Sequence, residues 1–247
     1  MDIQSLKKIV WIPPAIIGVA LVIGLGLLGW ENSRGRDTNT ISVTGSAKQR
    51  VSADLAKWTA TFSRRSGLSN VSEVLGQSAR DTESVKAFIK AHGLADTTAT
   101  FLPVTTEQVT VYDRGGSGSS ELVGYTIKQE VRVESADIAK VEQLAKDLTQ
   151  LVDRGIIADY QNTEYLYTKL DELRPQLFAD ATKDAKARAL AIAAGTGNTV
   201  GTLRSARTGV IQVLSPNSTD VSDYGSYDLS TKEKEVSATV NVSFELK

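Results

Sequence analysis

The stretch VSATVNVSFEL, residues 236–246, alternates apolar and polar side chains at every step. Its apolar members are Val236, Ala238, Val240, Val242, Phe244 and Leu246. Because successive side chains of a β-strand point to opposite faces of the sheet, this pattern predicts a strand with one buried face and one wet face. Such strands are typical of a largely antiparallel sheet that helices cover on one side.

The same alternation occurs in residues 55–62, where one face is apolar and the other carries Lys57, Thr59 and Thr61. Further strands are predicted at residues 41–45, 97–112, 122–133, 156–167 and 200–214. The polar, Gly- and Ser-rich stretches between them, residues 113–120 and 215–235, are predicted to be loops.

Three other segments carry apolar residues at helical spacing. They are residues 70–92, residues 135–152, and an alanine-rich segment that follows Pro175 and ends at Gly195. The sequence therefore predicts an α+β fold, with a mixed, largely antiparallel sheet and helices packed on one of its faces. No polar linker interrupts residues 41–247, so we expect a single domain there.

The composition excludes several classes of function. The 247 residues carry a net charge of −1, so no overall positive field attracts nucleic acid. The chain has no cysteine and one histidine, His92. Disulfides, thiol catalysis and any Ser-His relay that does not use His92 are therefore excluded. A carboxylate-only or Ser-Lys enzyme, a binding module and an assembly protein remain open.

An apolar segment without a charge occupies residues 9–30. At about 1.5 Å per residue it would form a helix of roughly 33 Å, which is long enough to cross a lipid bilayer. Trp11 and Trp30 lie near its ends, where indole rings favour the membrane interface. We therefore expect a transmembrane helix from Ile9 to Trp30. A cleaved signal peptide is the alternative, but no A-x-A-like site follows Trp30.

The charges that flank this segment predict its orientation. Lys7 and Lys8 precede it and favour a cytoplasmic N-terminus under the positive-inside rule. The predicted protein is therefore a single-pass protein of the cytoplasmic (inner) membrane with an extracytoplasmic, periplasmic C-terminal domain. Its parts are a cytoplasmic N-terminus at residues 1–8, the transmembrane helix at 9–30, a linker at 31–40 and the α/β domain at 41–247.

Two small residues of the apolar segment, Ala20 and Gly24, are spaced four apart. This spacing lets two membrane helices approach closely, so we identify the pair as a candidate helix–helix contact. It favours a homo-oligomer whose membrane helices assist association.

The candidate chemical residues are few. His92 stands just before Gly93, where an imidazole can cap the first helix, and a role as general base or metal ligand is the alternative. The acidic pairs Asp171 with Glu172, and Glu233 with Glu235, could bind a hard cation or act in hydrolysis, or lie on solvated surfaces. No catalytic, cofactor-binding or metal-ligating set is legible, so none is predicted.

Three segments together resemble one known family. They are ISVTGSAKQRVSADLAKWTATF at residues 41–62, GYTIKQEVRVESADIAKVEQLAKDL at 124–148 and YLYTKLDELRPQLFADATKDAKARALAIAAG at 165–195. The third contains ATKDA followed by an alanine-rich run and a closing glycine, and all three are similar to segments of the SIMPL-domain family. Ser46 stands where that family often has a second glycine, and Ser52-Ala53-Asp54 stands where a Pro-Asp pair is frequent.

The resemblance implies a mixed α/β domain of an envelope or outer-surface protein, with no catalytic residues to carry over. It also implies ring-like or barrel-like homo-oligomers and a link to oxidative-stress defence. We therefore expect a non-enzymatic, membrane-anchored extracytoplasmic protein that self-assembles in the cell envelope. The alternatives are a module that binds a small ligand and a hydrolase that uses carboxylates.

Overall fold

A computed structural model of the chain describes residues 39–112, 120–220 and 224–247. The predicted transmembrane helix between Ile9 and Trp30 lies outside these residues, as does the candidate contact pair Ala20 and Gly24. Within the three described ranges, no helix has the length and apolar composition needed to cross a membrane.

The described residues form nine β-strands, three α-helices and two 3-10 helices. In chain order they are β1 (Thr40–Ser52), β2 (Leu55–Gly67), α1 (Val71–Ala91), a 3-10 turn (Asp96–Thr98), β3 (Ala99–Phe101), β4 (Thr105–Tyr112), β5 (Ser120–Ser135), α2 (Ile138–Lys146), a 3-10 helix (Asp147–Arg154), β6 (Ala158–Leu166), α3 (Leu170–Gly195), β7 (Val200–Thr208), β8 (Gln212–Leu214) and β9 (Glu233–Leu246). The predicted α+β class is confirmed, with antiparallel pairing and three helices.

The strands form two sheets. The first has the order β3-β5-β2-β6, and β4 pairs with the other half of β5. The second has the order β1-β9-β7, and the short β8 also pairs with β9. The prediction of one sheet was therefore wrong. Alternation determines which face of a strand is buried, but it does not determine which strand lies beside it.

Helices cover one face of the first sheet, as the sequence predicted. The central strand β2 turns Ala56, Trp58, Ala60 and Phe62 towards α1, α2 and the 3-10 helix that follows α2. The helices contribute Val85, Phe88, Ile89, Val141, Leu144, Leu148 and Leu151 to this core. Lys57, Thr59 and Thr61 lie on the opposite face and are half-buried.

The predicted alternation of β9 is confirmed. Its buried residues are Val236, Ala238, Val240, Val242 and Phe244, and Leu246 at its end is half-buried. A smaller core lies beside the first half of the strand, where Val236 and Ala238 pack with Leu173 and Leu177 of α3 and with Val213 of β8.

Contacts divide the described chain into two compact units. The larger comprises Ser46–Asp184 and Thr208–Val240, and it holds the whole first sheet with its helices. The smaller comprises the described residues up to Gly45 with Ala185–Arg207 and Asn241–Lys247. Every site described below lies in the larger unit.

Several elements differ in length from the sequence prediction. α3 begins at Leu170, so Pro175 lies inside the helix instead of before it. The predicted helix at 135–152 ends at Lys146 and continues as a 3-10 helix, which Gly155 terminates with a φ of 73°. The predicted strand at 200–214 is interrupted, and the amide of Gly209 donates to the carbonyl of Thr239 at 2.8 Å in the interruption.

We expect the substitution Gly124→Ala to destabilise the protein by about 1–3 kcal/mol. A Cβ at this position of β5 would lie 2.0 Å from the carbonyl oxygen of Ser66 on β2, so the strand backbones must shift. Gly76→Ala is the matched control, because its nearest neighbour would be the Arg80 guanidinium at 3.8 Å. At this exposed helical position, replacing glycine with alanine should stabilise the protein by about 0.5–1 kcal/mol. Urea unfolding checks both, and equal effects of the two substitutions would contradict the prediction.

Candidate functional site

His92 connects two helices. Its backbone N–H donates to the carbonyls of Phe88 and Ile89, so it caps α1 as the sequence predicted. Ring nitrogen Nδ1 lies 2.9 Å from the Phe88 carbonyl oxygen, and Nε2 lies 3.0 Å from Oδ2 of Asp147. Both neighbours are hydrogen-bond acceptors, and Asp147 begins the 3-10 helix. The imidazole therefore joins the end of α1 to the start of the 3-10 helix Asp147–Arg154.

Hydrogen bonds from Gln143 and His92 lower the pKa of Asp147 below its ordinary value. The Gln143 amide donates to Oδ2 at 2.8 Å, the same oxygen that faces His92. This carboxylate is consequently held as an acceptor in a helix-capping arrangement, and its two donors come from α2 and from the end of α1.

The two acidic pairs bind separate partners instead of converging on one point. Asp171 pairs with Arg174 at 2.9 Å in the first turns of α3, where Glu172 is exposed. Glu233 accepts a hydrogen bond from Ser52 Oγ at 2.6 Å. Glu235 pairs with Lys48 at 2.7 Å. Among the described residues, no three His, Asp or Glu side chains are grouped to hold a metal ion.

The most enclosed charge in the described chain is Lys234, which sequence reasoning missed. Its side chain is fully buried on the inward face of β9. The ammonium donates to the backbone carbonyl of Asp228 and lies 3.7 Å from the Asp228 carboxylate. It also lies 5.6 Å from the centre of the Tyr227 ring, within the range of a cation–π contact.

Asp228 is held by four further donors. Its Oδ1 accepts from the amide of Ser230 at 3.0 Å and from the Ser230 hydroxyl at 2.6 Å. Its Oδ2 accepts from the amide of Thr231 at 3.2 Å and also from the Thr231 hydroxyl. Burial alone would raise the pKa of Asp228, but these hydrogen bonds and the charge of Lys234 keep the pKa far below its ordinary value.

Burial has the opposite consequence for the lysine. It lowers the pKa of Lys234, and the attraction of Asp228 offsets this only in part. A buried ammonium without its carboxylate would be costly, so the burial of Lys234 depends on Asp228.

The segment that carries this pair, residues 227–234, forms hydrogen bonds to neighbouring elements. The Tyr227 hydroxyl accepts from the Tyr167 amide at 2.8 Å and donates to the Tyr167 carbonyl at 3.1 Å. The carbonyl of Leu229 accepts from the Tyr165 amide at 2.8 Å, and that of Lys232 accepts from the Ala53 amide at 2.8 Å. The segment therefore fixes the end of β6 and the turn between β1 and β2 to the start of β9.

One feature of the sequence points to this cluster. Lys234 is two residues before Val236, so the alternation of β9 places its side chain on the same buried face as Val236. The carboxylate that neutralises it lies in a predicted polar loop, where no periodicity marks it.

A small pocket lies between the first sheet and α1. Arg64 on β2 and Asp81 on α1 form a two-point ion pair in its wall, and Arg64 Nη2 also donates to the carbonyl of Gly155 at 3.2 Å. The buried side chains of Ser78 and Gln129 add polar groups to a lining that is otherwise largely apolar. The accessible space between these groups is about 10 Å³, room for at most one water molecule, and the ion pair was also not predicted from the sequence.

Stability at acid pH should depend on Asp228. A carboxylate whose pKa is lower in the folded than in the unfolded state stabilises the fold above the unfolded pKa, and that contribution is lost as the pH falls below about 4. We expect the thermal midpoint to fall steeply in that range. Asp228→Asn should lower the midpoint at neutral pH and flatten the acid dependence. A variant with an acid dependence as steep as that of the wild type would contradict the assignment.

Comparison with known protein families identifies the chain. The family model described as SIMPL, protein of unknown function (DUF541), matches residues 41–244, which covers almost all of the described chain. No curated protein matches the chain.

Proposed function

This chain belongs to the SIMPL family, and we propose that it is a non-enzymatic, membrane-anchored extracytoplasmic protein that self-assembles in the cell envelope. The observation that supports a non-enzymatic function is that each candidate chemical group contacts a structural partner. His92 caps a helix, and the acidic pairs bind separate neighbours. The buried pair of Lys234 and Asp228 fastens a segment to the start of β9. Each group serves the fold, and none converges with another around an open space.

Purified full-length protein tests this part directly. We expect no stoichiometric metal, flavin or haem by elemental analysis and absorption spectroscopy, and no hydrolysis of ester or glycoside probes. A bound cofactor in stoichiometric amount, or turnover that a carboxylate variant such as Glu233→Gln abolishes, would contradict the proposal.

The anchor and the location rest on the uncharged segment at residues 9–30 and on Lys7 and Lys8 before it. Protease added to intact spheroplasts should digest residues 41–247 and leave the N-terminal segment in the membrane. Complete protection of that domain, with digestion only after lysis, would place it in the cytoplasm and overturn this part.

A role in envelope or oxidative stress is supported by the family resemblance alone. A strain that lacks the protein should be more sensitive to peroxide or to envelope damage, and the full-length chain should restore resistance. Equal survival of the deleted and parental strains under both conditions would remove this part of the proposal and leave the assembly role untouched.

A further inference from the structure

The strand β6 has one unpaired edge. It stands at the end of the first sheet, and among the strands that the structure describes it pairs with β2 alone, in an antiparallel register that sets Asn162 opposite Thr59 and Thr163 opposite Trp58. Its nine residues, ADYQNTEYL, include no Lys, Arg or Pro. Its register with β2 is irregular at Asp159, and it is regular from Tyr160 to Leu166.

The backbone direction along this edge follows from one hydrogen bond. The amide of Tyr165 donates outwards, away from β2, to the carbonyl of Leu229. Because backbone groups of successive strand residues point to opposite sides, the amides and carbonyls of Thr163 and Gln161 also point outwards. No backbone group in the part of the chain that the structure describes pairs with them on that side.

A groove runs along the same edge. Glu142, Ala145 and Lys146 of α2 form one wall, and Gln161 and Thr163 of β6 lie on the other. The groove has space for the side chains of an added strand.

The wall of the groove is held in place by fixed charges. Hydrogen bonds from Lys232 and from the Tyr165 hydroxyl, at 2.9 Å for the latter, lower the pKa of Glu142. Burial and the same hydrogen bond raise the pKa of Tyr165 to about 12. Both groups therefore keep their protonation states at neutral pH, and the hydrogen bond between them holds α2 beside β6.

We propose that this edge pairs with β6 of a second copy of the chain, antiparallel and centred on Asn162. This inference rests on the self-assembly proposed above and names the surface that carries it. In this register Gln161 faces Thr163 and Tyr160 faces Glu164, so the outward backbone groups of Gln161 and Thr163 pair with each other and no two like charges meet. A register centred on Gln161 would instead pair Thr163 with Asp159, where the register with β2 is irregular.

The pairing joins the two first sheets into one continuous sheet across a two-fold axis. Such an interface uses the same surface of both copies, and backbone hydrogen bonds supply its specificity. Strand addition also satisfies the outward amides and carbonyls of Gln161 and Thr163, which have no backbone partner among the described residues.

Single cysteines test the geometry, because the chain has none of its own. In the full-length protein in membranes, Asn162→Cys should form a disulfide-linked dimer, since directly opposed residues of a non-hydrogen-bonded pair have Cα atoms about 4.5 Å apart, within disulfide range. Thr59→Cys is the matched control. It lies on the neighbouring strand β2, on the open face of the same sheet, and should remain monomeric under the same oxidation.

A second variant measures assembly without a crosslink. Thr163→Pro removes an outward amide that bonds to nothing in the monomer described here, so the fold should persist while the oligomer mass falls. Circular dichroism of this variant checks that the protein is folded.

The outcomes separate the two proposals. A wild-type oligomer that Thr163→Pro leaves intact, or a Thr59→Cys dimer as abundant as that of Asn162→Cys, would overturn the edge pairing and leave self-assembly standing. A monomeric wild-type protein would overturn both. Crosslinking of Asn162→Cys only to a different protein would overturn this inference, because the edge would then receive another chain.

Discussion

Replacing Lys234 with alanine should lower the free energy of unfolding by about 3–5 kcal/mol, the cost of removing one partner from a buried ion pair. The change leaves the Asp228 carboxylate without its cation and opens a cavity on the inward face of β9, where the lysine is fully buried. Urea unfolding followed by far-ultraviolet circular dichroism measures the loss.

Two controls separate charge from volume. Lys234→Met keeps most of the side-chain volume but also leaves the Asp228 carboxylate without its cation, so it should retain most of the loss, because the uncompensated charge and not the cavity dominates the cost. Lys232→Ala removes a neighbouring lysine with an exposed side chain and should cost about 1 kcal/mol or less. A Lys234→Ala effect no larger than that of Lys232→Ala would show that the buried pair does not fasten the 227–234 segment.

Replacing Trp58 with alanine should cost about 3–5 kcal/mol as well. The indole is fully buried at the centre of β2, and its Nε1 donates to the Gln161 side chain at 3.2 Å. The cavity would lie between the first sheet and all the helical segments that cover it. Thr59→Ala, one residue away on the open face, should change stability by about 0.5 kcal/mol or less.

Trp58→Phe refines this test. It keeps an aromatic ring in the core but loses the hydrogen bond to Gln161, so it should fall between the wild type and the alanine variant. An alanine variant as stable as Thr59→Ala would mean that the core does not depend on this ring, contrary to the packing described here.

The alternation in the sequence predicted the faces of the strands well. Trp58 and Phe62 on β2, and Val236 and Phe244 on β9, are buried as expected, because period two in a strand is a local property of the chain. The cap at the end of α1 by His92 was predictable for the same reason, since a helix end is marked by the residues next to it.

Pairing partners were not predictable in this way. Residues distant in sequence decide that β9 lies between β1 and β7, and that β6 lies at the edge beside β2. The single-sheet prediction failed because a one-dimensional pattern carries no information about which strands are neighbours.

The ion pairs of the candidate sites could not be predicted from the sequence for the same reason. Asp228 and Lys234 are close in sequence, but their pairing depends on a loop whose path is set by Tyr167 and Val213. Arg64 and Asp81 face each other because α1 packs on β2. An ion pair between elements requires the tertiary fold, so composition and spacing could not identify either one.

We expect the full-length protein to self-assemble, and its mass in solution tests this expectation directly. Light scattering in detergent, across a wide range of protein concentrations, should give a mass that is a fixed multiple of 26.5 kDa after correction for bound detergent. Chemical crosslinking in native membranes should give the matching ladder. A mass of one chain at every concentration, with no ladder in membranes, would contradict the account.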